Sequence, residues 1–439
     1  MYEIMTPGPT QVRENVLAAR SLPCTNPDLD PDFYTFYKET CELISSLLRT
    51  KNEALILGGE GILGLEAACA GLTEPGDRVL IIDNGVFGKG FADFVKMYGG
   101  NPVLYTVDYL EAVDVDALAD FLKKDHAFKY ATVVHCDTPS GVLNDIARIC
   151  PLLKSYGILT VVDSVSAMFG EEVRVDDFQI DLLCGGSQKV VSAPPGLTFV
   201  TVSPAAWTAM KERKTPIASF YANLMTFDGY FEKQWFPYTM PISDIRGLRA
   251  AFENIKADST ILERHAKIAQ AVRTALTACG LKLHTRNGYS NTVSVFDVPK
   301  ETTAAAILTA VREKYNIMLA GSFDVLEGQV IRIGHMGENA RPEKLALFQC
   351  DGFGDDGRRP RVDRLLDRRG VPRPGTGRHD DRVFQGQAHK IHRCAHTASP
   401  PLTRTAHRYS SYCRRICGSS AWISARSPAF RCRKARCSR

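Results

Sequence analysis

Several absences bound the reading of this 439-residue chain. No run of about 18 apolar residues occurs, so no segment has the make-up of a membrane-crossing helix. The opening residues, Met1-Tyr2-Glu3-Ile4-Met5-Thr6-Pro7-Gly8-Pro9, carry neither a basic region nor an apolar one of the signal-peptide kind. A soluble, cytoplasmic protein is expected. Thirteen cysteines in a chain this long are too sparse for a disulfide scaffold. Cys69, Cys136 and Cys184 lie in apolar runs and read as reduced core thiols. There is no internal repeat and no pair of Cys-x2-Cys motifs, and no metal site is expected.

Glutamate is missing altogether from residues 351–439, which hold 19 Arg and 2 Lys against 7 Asp, a balance of +14. The first 350 residues hold 33 basic and 42 acidic side chains, a balance of −9, so the net charge of +5 joins two unlike sequences. Clustered positive charge can bind phosphate backbones without reading sequence, which would make residues 351–439 a nucleic-acid arm. His389, His392, Cys394, His396, Cys413 and Cys417 match no common zinc spacing. A pattern that loses its hydrophobic period after a helix-forming stretch, Arg341 to Phe348, instead has the look of text read in a shifted frame. A disordered tail is the expectation there, with the last helix of the preceding domain cut short.

A hydrophobic content of 44% is enough for a large core, most naturally as two domains. Short Val/Ile/Leu-rich runs alternate with helical spacing: strands are expected at 54–57, 79–83, 102–107, 131–136, 159–163, 182–184 and 197–202. Such alternation predicts an α/β fold with a mainly parallel sheet covered on both faces. Helices over 245–256, 259–279 and 304–315, with strands at 292–296 and near 330–334, predict a smaller α+β unit from about residue 242.

Ligands of open α/β sheets sit beyond the carboxyl ends of the strands. There this sequence places Asn84, Asp137 with Thr138, Asp163 with Ser164, and Ser187-Gln188-Lys189. A lysine leaving a buried strand is shielded from water, loses its proton more easily and can attack a carbonyl. Asp163 stands 26 positions before Lys189, with a helix and a strand expected between. A buried acid beside a lysine calls for a shared cationic partner or a bridging group, and a pyridoxal ring, with an aldehyde and a basic nitrogen, meets that need. The turn Gly58-Gly59-Glu60-Gly61 opens a helix whose first N–H groups could hold an anion.

Thr6-Pro7-Gly8-Pro9-Thr10, Val162-Asp163-Ser164-Val165, Ser187-Gln188-Lys189, Ala193-Pro194-Pro195-Gly196 and Ile331-Arg332-Ile333-Gly334 occur in the order found in one family. Over residues 3–349 the sequence resembles the class V, fold-type I pyridoxal-phosphate aminotransferases of the alanine–glyoxylate/serine–pyruvate branch. The resemblance implies an N-terminal arm (1–20), a large pyridoxal-binding domain (21–241) and a small C-terminal domain (242–350). It implies Lys189 as the Schiff-base lysine, Asp163 as partner of the ring nitrogen, and Phe87 as the aromatic on the ring. Thr138 and Gln188 would be cofactor contacts, with Gly59, Glu60 and Gly61 at the phosphate. Arg332, with Gly8 at the pocket mouth, would take the substrate carboxylate. Tyr238 and Thr239 would reach the neighbouring subunit's cofactor, which implies a homodimer. The implied reaction moves an amino group between alanine or serine and pyruvate or glyoxylate in ping-pong fashion.

Glu60 departs from that pattern, because a carboxylate beside a phosphate dianion is repulsive. The pyridoxamine–pyruvate aminotransferases carry glutamate here and take unphosphorylated pyridoxamine and pyridoxal as substrates; several local stretches, Arg332-Ile333-Gly334-His335-Met336-Gly337 among them, resemble theirs. Ser187-Gln188-Lys189 is instead the reading of the phosphate users, and the alternative for Glu60 is a solvent-facing side chain or a cap at the helix start. Cysteine desulfurases share the lysine but need an exposed loop cysteine, for which only Cys279 and Cys350 are candidates.

Overall fold

Seven strands carry the sheet that the alternating pattern predicts. In chain order they are β1 Glu53–Gly58, β2 Arg78–Asp83, β3 Asn101–Thr106, β4 Tyr130–Val134, β5 Leu159–Asp163, β6 Leu182–Gly186 and β7 Leu197–Val202. The computed structural model describes residues 2–345; what was expected of Cys350, the stretch 351–439 and the end of the last helix lies outside them. The sheet order is β1-β7-β6-β5-β4-β2-β3. Strands β3, β2, β4, β5 and β6 are mutually parallel, and only β7 runs antiparallel to its neighbours, β6 and β1. The reversal follows from the connection: residues 187–196 turn back without a crossover helix, so β7 returns beside β6 in the opposite sense.

Helices Pro31–Leu47 (α1), Gly61–Leu72 (α2), Val86–Met97 (α3), Val115–Lys124 (α4) and Ile146–Ser155 (α5) cover the faces. Strands β4, β6 and β7 are buried at every residue, as a sheet covered on both sides requires. One expectation fails between β5 and β6: the crossover at 164–181 contains turns and no helix. Phe169 and Gln179 take positive φ there (67° and 54°), which breaks any helical run, while Val173, Val175 and Phe178 are buried and pin the loop to the core.

Helix Ile242–Lys256 (α6) gives its apolar face to the large core. Phe252 meets Phe199 of β7 edge to face at 5.2 Å and Phe169 at 5.9 Å. Truncating such a ring would cost about 3–5 kcal/mol. A second core gathers Ile268 and Val272 of Ile261–Ala278 (α7), Ala304 at the start of Ala304–Tyr315 (α8), and Phe296, Ile317, Ile331 and Ile333, with Met5 from the start of the chain. It surrounds an antiparallel pair, β8 Val293–Asp297 with β9 Val330–Gly334. The N-terminus belongs to this layer, since Glu3–Ile4 pairs in parallel with Ile317–Met318. None of the described cysteines is in a disulfide, and no described helix is long and apolar enough to cross a membrane.

Candidate active site

Strand β6 ends at Gly186, and Ser187–Val190 turn away from the sheet, so Lys189 emerges at its carboxyl edge. The turn is held by Ser187, whose Oγ donates to Pro194 O (2.7 Å) and whose N–H donates to Leu197 O (3.0 Å). Asp163 closes the adjacent parallel strand, paired in register with Cys184. Burial pulls the Lys189 amine down to about 8; the positive charge of Arg332 adds to this, and Asp163 and Glu60 oppose it. Burial pushes the Asp163 carboxyl up to about 7 against a hydrogen bond from Val165 N (2.9 Å) and the attraction of Lys189. That N–H is the only hydrogen-bond partner of the Asp163 side chain among the described residues.

The Thr-Pro-Gly-Pro-Thr segment is a strap across this lysine. Lys189 Nζ donates to Pro7 O at 2.7 Å, Thr10 N donates to Gln188 O at 3.1 Å, and Thr10 Oγ1 donates to Lys189 O at 2.9 Å. Gly8 has φ +86°, and a Cβ there would fall 2.3 Å from Lys189 Cδ, so only glycine fits. On its other side the strap meets β9, where a Cβ on Gly334 would lie 2.2 Å from Thr6 O. Asn339 joins the two, donating from Nδ2 to Thr6 O and accepting from Gln11 N.

At the α2 end, Gly61 lies so close to Val165 that a Cβ would meet Val165 Cγ2 at 2.8 Å. This packing presents the helix N-terminus beside β5 and the Lys189 turn. Glu60 occupies the N-cap position but makes no side-chain cap. Its carboxylate accepts instead from Gln188 Nε2 at 2.9 Å, while Gln188 Oε1 is buried without a partner among the described residues. Glu60 is exposed, yet its charge reaches both Lys189 and Asp163.

Phe87, in the first turn of α3, borders the same cleft, its N–H donating to Asp137 Oδ1 at 2.9 Å. Asp137 is fully buried and lies against Gly85, where a Cβ would be 2.2 Å from its Cγ. Burial raises the Asp137 carboxyl, and Phe87 N, Ser140 and Val86 N hold it back. Thr138 is 1% exposed, and its hydroxyl has no partner among the described residues. Arg332 comes from β9; burial lowers it to about 10, with Asp137 acting the other way, and it forms no ion pair among the described residues. Tyr238 stacks on Tyr221 (4.4 Å), its hydroxyl is buried without a hydrogen-bond partner among the described residues, and Gly58 lies beside its ring. Thr239 is exposed and donates to Asp28 Oδ2 at 2.8 Å, a contact unrelated to Lys189.

One contributor escaped the sequence reading of the site: the Pro7 carbonyl is main chain and leaves no side-chain signal. Asp137 is legible at its strand end beside Thr138, but without the contact to Phe87 N that the fold gives it. A pyridoxal ring suits the donor set: Asp163 has acceptor capacity to spare for a protonated ring nitrogen, the Thr138 hydroxyl is unused, and an amine that burial makes easier to deprotonate faces the cleft. The phosphate end fits less simply, because Glu60 adds negative charge where the helix N–H groups converge.

Comparisons with known proteins agree with this geometry. Residues 24–326 match the family model "Aminotransferase class-V". The chain is 35% identical over 324 residues to the pyridoxamine–pyruvate transaminase of Mesorhizobium japonicum, covering 72% of this chain and 81% of that protein. It is 31% identical to the serine–glyoxylate aminotransferase of Arabidopsis thaliana, covering 80% and 88%. The crystal structure of pyridoxamine–pyruvate aminotransferase from Mesorhizobium loti superposes with a TM-score of 0.75 at 33% identity, covering 78% of this chain and 89% of that one. With Lys189 and Asp163 on neighbouring strands of the same fold, the chain belongs to the class V aminotransferases, a pyridoxal-phosphate-dependent family of fold type I.

Proposed function

We propose that this aminotransferase moves an amino group between a small amino acid, alanine or serine, and a small 2-oxo acid, pyruvate or glyoxylate. The observation that carries the reading is the meeting in one cleft of a buried amine, a buried acid and an arginine without a carboxylate partner among the described residues. When bound, pyridoxal phosphate supplies an aldehyde that condenses with amines and a ring that accepts electrons as the α-proton leaves. Asp163 would keep the ring nitrogen protonated, Phe87 would lie on the ring, and Thr138 would hydrogen-bond the cofactor. Lys189, once its amine is free, takes the α-proton as base and returns it as acid. Arg332 holds the substrate carboxylate with its planar fork. Gly8 shapes the mouth beside Lys189. Initial rates with alanine and glyoxylate should give parallel double-reciprocal lines; intersecting lines would contradict a two-stage transfer.

A homodimer in the cytoplasm is part of this reading. Exposed Phe220, Tyr221 and Trp235, on the segment that carries Tyr238 and Thr239, support a subunit contact there.

One observation favours a second reading. Glu60, bonded to Gln188 at the start of α2, opposes a phosphate beside Gly59 and Gly61 and suits an uncharged hydroxymethyl group. Pyridoxamine would then be the amino donor to pyruvate. Purified protein holding no pyridoxal phosphate, yet converting pyridoxamine and pyruvate to pyridoxal and alanine, would decide for this reading; the reverse pattern would decide for the first.

A further inference from the structure

Between Phe87 and Arg332 stands Phe323, a residue to which the motifs of the chain assign nothing. Its ring meets Phe87 edge to face, centroids 5.8 Å apart at 71°, and the Arg332 guanidinium carbon lies 5.4 Å from its centroid. The segment that carries it hangs from Arg332 itself: Arg332 N donates to Ala320 O at 2.7 Å, and Arg332 Nε to Gly321 O at 2.5 Å. Ser322 Oγ reaches Pro139 O at 3.4 Å, across the turn that holds Thr138. Phe323 is nonetheless 40% exposed, so part of its ring is open to a ligand.

We propose that Phe323 determines substrate specificity: its ring is the apolar wall beside Arg332 against which the substrate side chain packs, and it admits only a short, uncharged group. This rests on the reading of Arg332 as the carboxylate anchor. With Nε tied to Gly321, the two terminal nitrogens of Arg332 have no protein partner among the described residues, so one bidentate face is free for a single carboxylate. The aromatic ring under the guanidinium limits how that fork can turn. Among the described residues, the charges that act most strongly on Lys189, Asp163 and Arg332 are the cations Lys189 and Arg332 and the anions Asp137, Asp163 and Glu60. A second carboxylate on the substrate would find a phenyl ring and three acids with no cation to spare, an expensive place for a charge. A longer apolar side chain would collide with the ring.

The test is calorimetric binding of pyruvate, 2-oxobutyrate, 2-oxopentanoate and 2-oxoglutarate to the full-length protein loaded with its aminated cofactor. Wild type, Phe323→Leu and Phe323→Ala are compared, with alanine turnover measured alongside. Wild type should favour pyruvate over 2-oxopentanoate by about tenfold or more, the scale on which one or two methylenes are discriminated. Phe323→Ala should bring the two within about twofold, with Phe323→Leu between, and 2-oxoglutarate should stay weak in all three because no cation has been added. An unchanged ratio in Phe323→Ala, while wild type binds pyruvate and turns over alanine, overturns the inference and leaves the functional reading standing. Failure of wild type to bind any of the four acids, or glyoxylate tested beside them, overturns both.

Discussion

Gly8 and Lys189 are in direct contact: the main chain at Gly8 lies so near the lysine stem that a Cβ would come within 2.3 Å of Cδ and 2.9 Å of Nζ. The neighbouring Pro7 carbonyl accepts from Nζ, so a piece of the chain from one end holds the amine supplied by the middle. Gly8→Ala should displace the amine and, through the positive φ, strain the strap. We expect kcat to fall about 100-fold, the scale of a 1 Å misplacement, with the circular dichroism spectrum unchanged. Wild-type kcat in this variant would show that the contact is incidental.

Glu60 offers a charge test. At about 4 Å two like charges near a protein surface repel by about 4 kcal/mol, so Glu60→Ser should tighten pyridoxal phosphate binding by at least about tenfold. Glu60→Gln, which keeps an acceptor for Gln188 Nε2, should do the same. Equilibrium dialysis with pyridoxal and pyridoxal phosphate separates charge from shape: only the phosphate form should gain.

Asp163 and Lys189 titrate against each other. The carboxylate favours the ammonium, so Asp163→Asn should lower the lysine further below its present value of about 8. The acid limb of the kcat profile, which reports the amine once substrate has freed it, would then move to lower pH while its plateau falls by about 100-fold or more. A plateau loss with the limb in place would mean that the two charges do not feel each other.

Glu171 provides a stability prediction away from the chemistry. It is 8% exposed, and burial lifts its carboxyl from 4.5 to about 7 against hydrogen bonds from Asn291 and Ser290. Between these values the folded chain holds a proton that the unfolded chain has lost, so this group's contribution to stability declines as pH rises. Glu171→Gln removes the decline. Measured against wild type, its unfolding free energy should rise by about 1.4 kcal/mol per pH unit between pH 4.5 and 7. Parallel curves would refute the shift.

Much of this was legible in the residues. Strands Leu159–Asp163 and Leu197–Val202 appear with the limits that their apolar runs indicate, and Asp163 and Lys189 emerge from adjacent strands as the spacing required. The helix expected between them is absent because positive φ at Phe169 and Gln179, a tertiary demand, overrides local periodicity. The strap's contact with Lys189 could not be read at all, since it depends on a carbonyl and on a missing Cβ. Glu60 was visible as an anomaly; its bond to Gln188 needed the fold, which brings residues 128 apart in sequence together.

The account rests on Lys189 as the residue that joins the cofactor aldehyde. Full-length protein incubated with pyridoxal phosphate, reduced with borohydride and digested should yield one pyridoxyl-labelled peptide, with the label on Lys189. Alanine added before reduction should abolish the label, and pyruvate should restore it. A label on any other lysine, or one indifferent to alanine, would contradict the assignment.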